Sequence, residues 1–138
     1  MKKRLFIILV ALAIIALLLW LTLRLLWHFS VNIIPPIPAA VPGTIRVACV
    51  GDSTTYGMLL WRREKSNYPA KLGTLLGGDY SVRNFAANST TVLTTGDHPY
   101  VSHKVFQLGC DFEPDVVLIM LGTNDAKPEN WTGGEAFR

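Results

Sequence analysis

Between Leu5 and Leu23 the chain runs nineteen residues, LFIILVALAIIALLLWLTL, without a charge. Closed as a helix at about 1.5 Å per residue, this run is about 28 Å long, close to the hydrocarbon thickness of a bilayer. It is apolar all round, which does not suit a helix with one face on a soluble core and the other in water. A cleavable signal peptide carries a shorter apolar stretch of roughly 7–15 residues and a small-x-small cleavage site. Here Arg24, Trp27 and His28 follow instead. The run therefore reads as an uncleaved transmembrane anchor. Lys2, Lys3 and Arg4 precede it and only Arg24 lies just beyond, so the positive-inside bias keeps the N-terminus in the cytoplasm and exports the remainder. Trp20 and Trp27 suit the outer interface.

The anchor also distorts the charge balance. The net charge is +3, but from residue 44 onward nine basic residues face ten acidic ones. The exported part therefore carries no electrostatic footprint for nucleic acid. The expected division is residues 1–29 as basic end plus anchor, 30–43 as linker, and 44–138 as the folded domain. The linker, SVNIIPPIPAAVPG, holds four of the eight prolines. Extended at about 3.1 Å per residue, it spans up to roughly 40 Å.

The exported part reads as alternating strands and helices. TIRVACV (44–50) is a β-branched run that ends at Gly51, as a buried strand would. NYPAKLGTLLGG reads as a helix capped by Asn67, with Pro69 in its first turn, Gly77 at its end, and Leu72, Leu75 and Leu76 on one apolar face. YSVRNF (80–85) is a second strand. VSHKVFQLG (101–109) is a weaker helix, with Val101, Val105 and Leu108 on one side. VVLIML (116–121) is apolar at every position, as a strand covered on both faces should be. Such alternation specifies an α/β layered domain around a parallel sheet. Cys49 and Cys110 read as two buried thiols. Export makes a disulfide possible, but spacing does not pair them, and two cysteines with three scattered histidines do not form a zinc pattern.

Ligands of open parallel sheets bind at the carboxyl ends of the strands, and here each strand ends in a polar cluster. The first runs into Gly51-Asp52-Ser53. The second passes Asn84 and reaches Ala86-Ala87-Asn88-Ser89-Thr90-Thr91. The third runs into Gly122-Thr123-Asn124-Asp125. Any one of these is an ordinary turn, and GDS alone is commoner as a turn than as a nucleophile. The first cluster is not a Walker loop, because no G-K-[ST] closes it. Nor is it a G-x-S-x-G elbow, because the second glycine is absent. Three such clusters at one edge imply a site.

With GDSTTYG (51–57), VRNFAANSTTVL (82–93) and IMLGTNDAKPENW (119–131), the chain resembles the SGNH hydrolase superfamily of GDSL-like esterases. The resemblance covers 44–138. It implies a flavodoxin-like three-layer parallel sheet, incomplete at its C-terminus and preceded by one transmembrane helix. It also implies a serine esterase that needs neither metal nor organic cofactor. The stretch from GTND through KPENW resembles members that cleave sugar or acetyl esters, so the expected partners are a small-molecule or carbohydrate ester and, through the anchor, the membrane.

On this resemblance Ser53 is the nucleophile. The oxyanion is held by the Ser53 N–H, the backbone N–H of Ser89 and the Asn124 carboxamide, with Gly51, Asp52, Asn84, Gly122 and Asp125 in support. Two departures stand out. Ser89 occupies a position where the family has glycine, and a required positive φ would be costly for serine. The family's base is a histidine in a D-x-x-H pair, yet none of the six aspartates here is followed by histidine three residues later. His98 and His103 read as solvated or otherwise satisfied side chains. The expectation is an N-terminal portion of a longer enzyme, with 44–138 as the N-terminal half of its hydrolase domain, marginally folded and inactive by itself. Alternatives are a non-catalytic exported binding module and an acyltransferase using the same serine. Asn88-Ser89-Thr90 and Asn130-Trp131-Thr132 match the N-glycosylation pattern and are read as chance. Asp52 and Asp125 suggest a metal pair less well than they suggest loop-organising acceptors.

Overall fold

The structure, a computed structural model, describes residues 2–30, 34–131 and 133–137, with the side chains of Lys2, Trp27–Ser30, Ala136 and Phe137 left out. The expected interface role of Trp27 therefore lies outside the described residues. The chain divides into two compact units, Met1–Val31 and Asn32–Arg138.

The first unit is a helix, α1 (Lys2–Ser30). One stretch of it, Lys3–Leu26, is long and apolar enough to cross a membrane. Its side chains from Lys3 to Leu26 are all exposed. Thr22 folds its hydroxyl back onto the Leu19 carbonyl (2.8 Å), which hides a polar group within the helix. The Arg24 guanidinium lies 5.4 Å from the centroid of the Trp20 ring.

The second unit is an open parallel sheet in the order β2-β1-β3, formed by β1 (Ile45–Gly51), β2 (Tyr80–Ala86) and β3 (Val116–Met120). Short helices α2 (Ser53–Tyr56) and α3 (Arg63–Ser66) follow β1. Helix α4 (Tyr68–Leu76) leads into β2, and α5 (Lys104–Asp111) leads into β3. Parallel neighbours require such crossovers, because a tight hairpin cannot return the chain in the same direction. Gly51 pairs with Ala86 on one side and Met120 on the other, so the three carboxyl ends are level. At the opposite end Arg46 receives Asp115 N–H on its carbonyl and bonds the Asp115 carboxylate, holding that carboxyl below its usual range and fixing the β1–β3 register.

Local chemistry explains α4. Asn67 Oδ1 accepts from Ala70 N (2.9 Å), Pro69 sits in the first turn, and Gly77 ends the helix. Its packed side differs from the expected one. Leu75 is 84% exposed, and α4 meets β2 through Gly73, which lies close against Val82. A 3-10 turn (Tyr100–Ser102) replaces the first part of the helix expected from 101. Helix α5 starts only at Lys104 because His103 caps it, with Nδ1 accepting from Val105 N (3.5 Å). Cys49 is buried, and its thiol is pushed up by that burial. Cys110 is exposed, contrary to expectation, and both cysteines are free.

Phe85 anchors the interior beneath Gly109 and beside the Phe112 ring (centroids 5.2 Å apart), while the Tyr100 hydroxyl donates to the Phe85 carbonyl. Two further features depart from the sequence reading. All five residues of β3 are exposed, so among the described residues neither of its faces is covered. The proline-rich stretch, in turn, is fastened to β2 from Pro38 onward. Arg83 donates to the carbonyls of Pro38 and Ala39, and Val41 N donates to Ser81 Oγ (2.9 Å).

Candidate active site

The turn after β1 is built around a close approach. A Cβ on Gly51 would lie 2.0 Å from Thr55 Oγ1 and 2.8 Å from the Met120 carbonyl, so only glycine fits. Asp52, 2% exposed, caps α2 by accepting from Thr54 N (2.9 Å), and its own N–H donates to Met120 O. Ser53 opens α2 and stays partly exposed, while Thr55 and Tyr56 behind it are buried. Asn84 fastens this turn from the neighbouring strand. Its Nδ2 donates to Thr55 O (2.7 Å), and its Oδ1 accepts from Ala86 N.

The β2 tip continues the same edge. Ala87 N donates to Gly51 O (3.1 Å), so the chain leaves β2 beside the Ser53 turn. Ser89 is exposed and has φ of +63°. This is the left-handed region in which a Cβ costs about 1–2 kcal/mol, and it explains why a glycine would suit the position. Thr90 and Thr91 are buried, each hydroxyl bonded to a nearby carbonyl.

The β3 tip grips this loop. Gly122 turns with φ of +115°. Asn124 Nδ2 donates to Thr90 O (3.0 Å). A carboxamide nitrogen has two hydrogens, so one of them fixes the side chain and the other remains to be directed at a ligand. Asp125, fully buried, accepts from Val92 N and Leu93 N (3.0 and 2.8 Å). Asp52 and Asp125 thus spend carboxylate oxygens on backbone N–H groups of separate loops.

The structure brings the Ser53, Ser89 and Asn124 segments to one sheet edge. It places neither histidine of the unit as a partner of Ser53. His103 Nδ1 is occupied by the α5 cap, and burial lowers the affinity of this ring for a proton. His98 is exposed in the loop that the Thr91 N–His98 O bond closes. A cavity of about 310 Å³ lies elsewhere, between residues 34–38, Tyr56, Arg63 and Val82–Asn84, and none of the three site residues lines it. Sequence reasoning passed over Asn130, which is 4% exposed and hydrogen-bonded to Asn124 and Asp97. In the sequence it shows only an N-x-T pattern, which reads as chance.

The family model of GDSL-like lipases/acylhydrolases matches residues 49–137, from the middle of β1 to the end of the described chain. The chain belongs to that family. It is 47% identical over 107 residues to an acetylxylan esterase of Xylanibacter ruminicola, a match covering 78% of this chain and 22% of that esterase. The chain thus spans about a fifth of the length of the relative it matches. No solved structure matches it.

Proposed function

We propose that the unit after the anchor carries the nucleophile and oxyanion site of a serine esterase that removes acyl groups, acetyl above all, from carbohydrate. The observation that carries this reading is the Asn124 carboxamide. It is anchored through Thr90 O at the level edge where the Ser53 turn and the Ser89 loop also end. The family match and the acetylxylan esterase relative support the substrate class.

In the first step Ser53 Oγ bonds to the ester carbonyl carbon and its proton passes to a base. The carbonyl electrons move onto oxygen, where the Ser53 and Ser89 N–H groups and Asn124 Nδ2 receive the charge. Preorganised donors cost no reorganisation at that moment. Collapse breaks the bond to the sugar oxygen, which takes that proton from the base and leaves as a hydroxyl, with the acyl group on Ser53. Water then releases the carboxylic acid by the reverse sequence and restores the serine. On the resemblance the base is the histidine of a D-x-x-H pair, which this sequence does not contain. The second reading, a binding module without turnover, draws its support from Ser89, which stands at a glycine position with φ of +63°.

Helix α1 would hold the unit at the outer face of the membrane, with Lys2, Lys3 and Arg4 inside. The test is acetate release from acetylated xylo-oligosaccharide by the full-length protein. Ser53→Ala abolishes release, and Asn124→Ala lowers kcat about 100- to 1,000-fold. Release that survives Ser53→Ala rejects the esterase reading. Tight sugar binding without any release selects the binding module.

A further inference from the structure

We infer that Asn130 is a positioning residue for Asn124, set in place by Asp97; this rests on the esterase reading above. The Asn130 carboxamide is fully committed. Its Nδ2 donates to Asn124 O (2.9 Å) and to Asp97 Oδ1 (2.8 Å), and its Oδ1 accepts from Asp97 N (2.8 Å). A primary amide has two N–H donors, and both are used here in a site only 4% exposed. The amide nitrogen is therefore not open to glycan transfer in the folded chain, although the local sequence is N-W-T.

The contacts hold residue 124 at both ends. Asn130 takes its carbonyl and Thr90 O takes its carboxamide. With the backbone and one N–H fixed, the second N–H of Asn124 has one direction left. Asp97 fixes Asn130 in turn. The Asp97 carboxylate also receives Lys127 Nζ (3.3 Å), and the Asn130 and Lys127 contacts hold this carboxyl below its usual range. Residues 94–98 belong to the loop that leaves β2, so one buried amide sets the β3 tip against the β2 tip.

The structural and positioning roles can be separated by reversing the polarity of the pair. Asn130→Asp still accepts from Asp97 N but loses both donors and places two carboxylates together. Adding Asp97→Asn restores a donor to the carboxylate at 130 and re-forms the fastening between the loops. Asn124 O then keeps only the longer Lys127 N–H contact (3.4 Å) and loses its side-chain donor. In the full-length protein, well below the Tm of each variant, the double variant should keep kcat about 10- to 100-fold below wild type. KM should stay within about twofold, because the donor acts on the transition state rather than on the bound ester.

A double variant with wild-type kcat overturns the inference and leaves Asn130 as a loop fastener. This comparison does not require the single variant to fold. The Asn124 side-chain amide resonances give a readout independent of turnover. They should stay shifted in the double variant, and their return to wild-type positions overturns the inference too. Should Ser53→Ala leave acetate release intact, the esterase reading falls, and the amide resonances alone decide whether Asn130 positions Asn124.

Discussion

β1 and β3 lie side by side in one parallel sheet and are both apolar, yet water reaches them very differently. Val47, Ala48 and Cys49 are 3%, 1% and 0% exposed, whereas Val116 to Met120 range from 39% to 70%. The difference lies in cover rather than composition. β1 has a strand on each side, while β3 pairs only with β1 among the described residues. An apolar run marks a strand that excludes water without naming what excludes it. The tip of β3 is nonetheless firmly held. Asn124, Asp125, Lys127 and Asn130 each bond into the 90–97 loop. The site end of this strand is therefore fixed by directional polar contacts, where β1 is fixed by packing.

Substitutions can break that contrast. Phe85→Ala, in the packed interior, should cost about 3–5 kcal/mol in chemical denaturation. Ile119→Ala, at 70% exposure in β3, should stay within about 0.5 kcal/mol. Comparable losses at the two sites would mean that β3 is covered. Asp125→Asn sharpens the second half of the contrast. It weakens two charge-assisted bonds to Val92 N and Leu93 N and should cost about 2–4 kcal/mol; an unchanged denaturation midpoint would show that the tip is not held by this carboxylate. At Ser89 a small gain is expected in place of a loss. Ser89→Gly removes a left-handed penalty of about 1–2 kcal/mol and adds about 0.5–1 kcal/mol of backbone entropy cost. It should therefore stabilise slightly, and a clear destabilisation would show that the serine side chain holds the loop.

Much of the fold was legible because its signals are local. The β-branched run ending at Gly51, the short run from Tyr80 to Phe85 before a polar stretch, and the Asn67, Pro69 and Gly77 punctuation of α4 act within a few residues of themselves. What was not legible depends on distant partners. The cap that delays α5 needs a histidine ring turned back onto Val105 N. The exposure of Leu75 depends on which side of α4 meets Val82. The bonds at the β3 tip join residues about thirty apart, such as Asn124 with Thr90 and Asn130 with Asp97. Asn130 therefore shows in the sequence only as part of an N-x-T pattern that reads as chance. The candidate site residues were reachable only through three separate motifs, and their common edge follows from the level register of the sheet.

The central claim is that one acyl carbon sits within reach of Ser53 Oγ while its oxygen meets donors from all three tips. A solved structure of the full-length protein after reaction with an alkyl fluorophosphonate tests it directly. The account predicts phosphorus bonded to Ser53 Oγ, with the phosphonyl oxygen about 2.7–3.1 Å from Ser53 N, Ser89 N and Asn124 Nδ2. An adduct whose oxygen points away from Ser89 and Asn124, or labelling elsewhere with Ser53 untouched, would contradict it.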